Sequence, residues 1–158
     1  DLVRSRGLGD VYKRQIWAYL REIGDGDVLL IDEPEMNAHP AAQLAIVELL
    51  AILASSGVRI VVTTHSPYVL DHLGTLVEAS RLSGDPRSKI VSKLRLGRDE
   101  ALLQPEQLSV YRFDIDGTVH SIFDRESRTI DPSTFAEVGD AEANLFSEVL
   151  AAERTHGV

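Results

Sequence analysis

Two short runs of apolar residues, Val28-Leu29-Leu30-Ile31 and Ile60-Val61-Val62, stand out in the first half of the chain. Runs of this kind bounded by turn residues predict strands buried on both faces, as in parallel sheets. Between them Pro40 opens a helix at the position where its missing N–H does no harm. This helix covers Ala41–Ala54 and stops at Ser55-Ser56-Gly57; being apolar almost all round, it is expected to be buried. The second strand, Arg59–Thr63, is followed by Ser66-Pro67, an N-cap and first-turn pair for a further helix. Val69, Leu70, Leu73, Leu76 and Val77 share one face of that helix. Upstream, Ile16, Trp17, Leu20 and Ile23 keep helical spacing until Gly24 and Gly26. Strand, helix, strand, helix predicts an α/β fold: a partial parallel sheet with flanking helices and a right-handed crossover.

Past Ser83 the texture changes. Gly84-Asp85-Pro86 reads as a break, and the stretch to Gln107 is polar and weakly periodic. Leu108–Phe113 and Thr118–Phe123 then flank Asp114-Ile115-Asp116-Gly117, a hairpin signal with Asp-Gly at the turn. Asp131-Pro132-Ser133 reads as the cap of a short helical piece, and Ala141–Glu153 as a terminal helix.

Composition narrows the function classes. At 158 residues, 44% hydrophobic and 26% charged, the chain has the profile of a globular domain. No apolar run approaches the roughly 18 residues of a membrane span, so no membrane role is expected. Cysteine is absent, which removes disulfide frameworks, thiol nucleophiles and cysteine-bound metals. Sixteen Lys and Arg against 25 Asp and Glu give −9, a poor surface for nucleic acid without a basic block. The N-terminus has no apolar signal-peptide core, so the cytoplasm is the default location.

The opening residues have a different character. Ser5-Arg6-Gly7-Leu8-Gly9-Asp10-Val11-Tyr12-Lys13-Arg14-Gln15 resembles the in-frame translation of a transposon-type sequencing adapter. Such segments are set aside before fold reasoning. The organisation expected is then a non-native segment over 1–15, the α/β unit over 16–83 and an extension over 84–158. On this reading a longer gene was cut at Ile16.

The candidate chemistry lies at the strand ends. Asp32 and Glu33 directly follow the first apolar run, and desolvated carboxylates there are costly unless a positive group meets them. Ligands of open parallel sheets bind beyond the carboxyl ends of the strands, so a metal or phosphate would fit; the start of a plain surface loop would also account for the pair. The second run ends in Thr63-Thr64-His65-Ser66-Pro67, which puts a His at a helix start. A neutral His there can donate a hydrogen bond to a phosphate oxygen, although a structural loop His is the commoner case.

Together these segments resemble a known family. Leu29-Leu30-Ile31-Asp32-Glu33-Pro34-Glu35 is similar to the Walker B segment of ABC-class ATPases. Asn37-Ala38-His39-Pro40 resembles the D-loop of soluble AAA-type members, such as SMC-like, DNA-repair and phage-defence ATPases. Thr63–Pro67 resembles their switch histidine segment, and the three motifs stand in family order. The resemblance implies a P-loop NTPase fold of the ABC-ATPase type. It implies that Asp32 holds Mg²⁺, Glu33 acts as general base on water, and His65 senses the γ-phosphate of ATP. Asn37, Ala38 and His39 would line the interface of a head-to-tail homodimer that sandwiches the nucleotide. His72, His120 and His156 match no motif and are expected to be solvated or structural.

The chain also departs from the family. It has no Gly-rich loop ending in Lys-Ser/Thr, and Gly7-Leu8-Gly9 lacks that spacing. The family's signature motif should fall a little over twenty residues before Asp32, in the adapter-like region. The expectation is a C-terminal fragment, itself inactive, of a parent that binds and hydrolyses ATP with Mg²⁺. Two other readings remain: a non-catalytic dimerisation or interaction module, and an ATPase subunit driving a separate nuclease or toxin effector. DNA or effector contacts would then lie in missing regions.

Overall fold

The computed structural model describes residues 27–131 and 141–151. The helix expected over Ile16–Ile23, the adapter-like segment and the short helical piece after Asp131 lie outside the described residues.

Strands β1 (Val28–Asp32) and β2 (Arg59–Thr63) form a parallel pair in which Val28 faces Arg59 and Asp32 faces Thr63. The connection between them holds helix α1 (Pro40–Ser55), as parallel pairing requires a crossover. Pro40 sits in its first turn as expected, and His39 is the N-cap, its Nδ1 accepting from the Ala41 N–H at 3.2 Å. Gly57, with φ at +98°, takes the left-handed turn after α1 that glycine adopts without Cβ strain. Helix α2 (Pro67–Ala79) follows β2, and Val69, Leu70, Leu76 and Val77 are buried on one face.

Two burial expectations are corrected. Neither strand is buried on both faces: exposure alternates along each, and Leu30 is 73% exposed beside half-exposed Val28 and Val61. With only two described strands and alternating side chains, one face of the pair is left open among the described residues. Nor is α1 buried all round. Val47, Glu48 and Ala51 are fully buried, while the remaining turns are half-buried.

The polar stretch to Gln107 has more structure than its pattern predicts. Gly84-Asp85-Pro86 begins helix α3 (Gly84–Val91), because Pro is tolerated in a first turn where the N–H has no helical acceptor. Single 3₁₀ turns follow at Asp99–Ala101 and Pro105–Gln107. The expected hairpin is present as β3 (Tyr111–Phe113) against β4 (Val119–Ser121), with Gly117 at φ +86° in its turn. A second, unforeseen hairpin joins β5 (Phe123–Asp124) to β6 (Thr129–Ile130). Residues 141–151 are the helix α4, exposed throughout.

The core lies on the helices. Val47 and Ala51 of α1 meet Val69, Leu76, Val77 and Ala79 of α2, and Ala101, Leu102, Leu103 and Phe123 close over them. Residues on both sides of Ser83 therefore share one apolar cluster. A buried carboxylate helps fasten it: Glu48, with no solvent exposure, accepts from the Arg95 N–H at 2.9 Å and the Leu96 N–H at 2.6 Å. His72 Nε2 of α2 lies 3.0 Å from the same carboxylate, which accounts structurally for a histidine that matched no motif.

Candidate functional site

The carboxyl ends of β1 and β2 open on the same edge, because the pairing is parallel and in register to its last residues. The ladder continues one step further, where the Glu33 N–H donates to the Thr63 carbonyl at 3.1 Å. At Glu33 the backbone turns into the left-handed region, with φ at +42°. A side chain with a Cβ is disfavoured there by about 1–2 kcal/mol, so the surrounding bonds must hold it. They are found in the pair of turns that follow, Met36 N–H to Glu33 C=O at 3.0 Å and Ala38 N–H to Glu35 C=O at 2.9 Å. Asn37, at φ +61°, occupies the left-handed region with a residue type suited to it.

Two of the sequence-selected side chains, those of Glu33 and His65, come together. Glu33 Oε1 stands 3.5 Å from His65 Nε2, and Asp32 is next to Glu33 at the strand end. His65 is the more open of the two, its side chain 89% exposed against 33% for Glu33. Asn37, Ala38 and His39 lie on the adjoining turn that leads into α1. Ala38 and His39 act there through local bonds: the Ala38 carbonyl accepts from Gln43 and His39 caps α1. His120 stands apart on the hairpin, 3.3 Å from Asp114, and His156 lies outside the described residues.

Sequence reasoning quoted most of the residues that organise this edge inside its motifs but foresaw none of their side-chain bonds. The Thr63 hydroxyl donates to Asp32 Oδ1 and its oxygen accepts from the Glu33 N–H at 3.2 Å, tying both acids to β2. The Thr64 hydroxyl donates to Glu35 Oε1. Ser66, the N-cap of α2, does not cap it with its side chain; its hydroxyl donates to Gln43 Oε1 at 2.6 Å. Glu35 is the deepest of the three acids at this edge, 6% exposed, and its Oε2 has no hydrogen-bond partner among the described residues. The only sequence signal for these roles was polarity next to the motif residues, which says nothing of direction.

Among the described residues no three His, Asp or Glu side chains gather as a metal cluster. Mg²⁺ differs from zinc in this respect: it is bound through one or two carboxylates with waters and substrate phosphates. The exposed Asp32, whose Oδ1 is engaged by Thr63, is a carboxylate of the type Mg²⁺ accepts. No helix of the described residues is long and apolar enough to cross a membrane.

Residues 2–71 match a family described as "AAA domain, putative AbiEii toxin, Type IV TA system". The match supports an AAA-type, ATPase-like nucleotide-binding domain. It takes in both strands, α1, the acids and His65, and it ends within α2. Neither a curated protein nor a solved structure matches the chain. The mixed arrangement of helices and small sheets agrees with an α/β fold of the AAA type.

Proposed function

We propose that this chain carries the hydrolytic edge of an ABC-class, P-loop ATPase, with Glu33 as general base. The observation that carries the reading is the meeting of Glu33 and His65 at 3.5 Å beyond two parallel strands in register. Glu33 is partly exposed, so a water can reach its carboxylate and lose a proton to it as the water attacks phosphorus. His65 Nε2, beside that carboxylate, is positioned to donate to a phosphoryl oxygen as charge builds there. Asp32 would hold Mg²⁺, which supplies charge neutralisation of the phosphates when bound. The Thr63 hydroxyl bonds Asp32 Oδ1 and restrains that carboxylate.

The grip on the β- and γ-phosphates is assigned to sequence that this chain does not contain, since it has no Gly-rich loop ending in Lys-Ser/Thr. Residues 1–15 are read as adapter-derived, 16–83 as ATPase and 84–158 as its extension, in a cytoplasmic protein. The nucleotide would lie between two head-to-tail copies, with Asn37, Ala38 and His39 along the interface. A second reading draws on the words toxin and TA system in the family's description: the ATPase drives an attached effector.

Glu33→Gln in the complete protein tests the assignment. Gln keeps the shape and one acceptor but loses the basicity, so ATP binding should persist while turnover falls about 10²–10⁴-fold. Hydrolysis at the parental rate would assign the proton to another group.

A further inference from the structure

We propose that Glu35, Thr64, Ser66 and Gln43 form a closed positioning ring that makes the His65 segment and the Asn37–His39 turn move as one body. The functional meaning of this coupling rests on the ATPase reading; the coupling itself does not.

The ring can be followed bond by bond. Glu35 Oε1 accepts from the Thr64 hydroxyl, and Thr64 Oγ1 accepts from the Ser66 N–H at 3.0 Å. The Ser66 hydroxyl donates to Gln43 Oε1 at 2.6 Å, and Gln43 Nε2 donates to the Ala38 carbonyl at 3.0 Å. The Ala38 N–H donates to the Glu35 carbonyl at 2.9 Å and closes the circuit. Two stretches of chain far apart in sequence meet here: the turn after β1 running into the first turns of α1, and the exit of β2.

Its placement gives the ring its consequence. Thr64 and Ser66 flank His65, whose own side chain is almost fully exposed. The side chain therefore has little to hold it, and the backbone on either side is fixed by the ring. On the other arm, Glu35 and Ala38 flank Met36 and Asn37, and the left-handed Asn37 needs such support. Gln43 joins the arms because it uses both ends of its amide, accepting from one and donating to the other. Neither a carboxylate nor an aliphatic side chain can do both. Two observations indicate that this geometry outweighs local convenience. Ser66 forgoes a side-chain cap on α2 to bond Gln43, although capping is the usual role of a serine there. Glu35 brings a carboxylate into a buried place for one hydroxyl bond, leaving Oε2 without a partner among the described residues. In the ATPase reading, any displacement of His65 on loss of the γ-phosphate would reach the Asn37–His39 turn through these bonds.

Amide hydrogen exchange and side-chain NMR on the 158-residue chain test the ring without nucleotide. Ser66→Ala removes one hydroxyl from the His65 segment and touches nothing on the other arm. It should speed exchange of the Ala38 N–H at least fivefold and shift the His65 ring signals, with the core amides of Leu76 and Val77 unchanged. Ser66→Thr, which keeps the hydroxyl, should restore both readouts. Gln43→Glu keeps the acceptor toward Ser66 and loses the donor toward Ala38, so it too should speed Ala38 and serves if Ser66→Ala folds poorly. Ala38 exchange within twofold of the parent in both Ser66→Ala and Gln43→Glu would overturn the ring. That failure would leave the Glu33→Gln test standing, and a failure of Glu33→Gln would leave the ring standing.

Discussion

Replacing Glu48 with Ala should destabilise the protein more than any change at the strand edge. Its carboxylate is wholly buried and meets three donors or potential donors: Arg95 N–H at 2.9 Å, Leu96 N–H at 2.6 Å and His72 Nε2 at 3.0 Å. Hydrogen bonds to a charged acceptor contribute about 1.5–3 kcal/mol each. Arg95 and Leu96 are exposed residues whose N–H groups can turn to water, which puts their two bonds at the low end. His72 has a side chain only 12% exposed and is less able to recover. Against this, the variant no longer buries a carboxylate. The net expectation is a loss of about 3 kcal/mol, the lower end of what breaking a buried charged network costs. Glu48→Gln keeps the volume and one acceptor oxygen but sets an N–H against one of the backbone donors, so about 2 kcal/mol should go. His72→Ala leaves both backbone bonds and should cost about 1 kcal/mol. Urea unfolding measures all three as midpoint shifts at constant m, and Arg95 and Leu96 amides should exchange faster in Glu48→Ala. A Glu48→Ala protein within about 0.5 kcal/mol of the parent would refute the reasoning, since surface changes alone reach that value.

Acid should weaken the tether between α3 and the following 3₁₀ turn. The Arg87 guanidinium, 2.6 Å from Asp99, holds that carboxyl below its ordinary value of 3.8, and Arg98 pulls Glu100 down to about 2. A carboxyl lowered in the folded state stabilises above its unfolded pKa and loses that contribution as pH falls through its folded pKa. The acid limb of the unfolding midpoint should therefore be shallower in Asp99→Asn than in the parent, and coincident limbs would count against the pair. Leu30→Thr on the open face of β1 should change stability by less than about 0.5 kcal/mol while reducing self-association in sedimentation, because little apolar surface is buried there. A loss above about 1 kcal/mol would mean that this face is covered in solution.

Much of the fold was legible in order and kind. The apolar runs, the helix-starting prolines at Pro40 and Pro67 and the Asp-Gly turn at Asp116-Gly117 are local signals, and each marks the element observed. Burial was less legible. An apolar run states that a strand suits a two-sided interior, and whether neighbouring strands cover both faces is not written in the run itself. The stretch between α2 and the first hairpin misled for the opposite reason. Ala101-Leu102-Leu103 is too short to show a period, yet it fills the gap between α1 and α2 because the chain folds back over them.

At the strand edge the sequence by itself determined where the candidate residues stand. Asp32, Glu33 and His65 follow their strands directly, and parallel pairing brings such residues to one edge whatever surrounds them. Tertiary structure alone decided what holds these groups. Thr63 turned to Asp32, Thr64 to Glu35, and Ser66 away from its own helix to Gln43, and Glu48 clasped backbone amides nearly fifty residues on. A polar side chain near a backbone can bond in several directions at nearly equal free energy. The choice among them falls to whichever distant segment packs within about 3 Å, and that proximity exists only once the chain has folded.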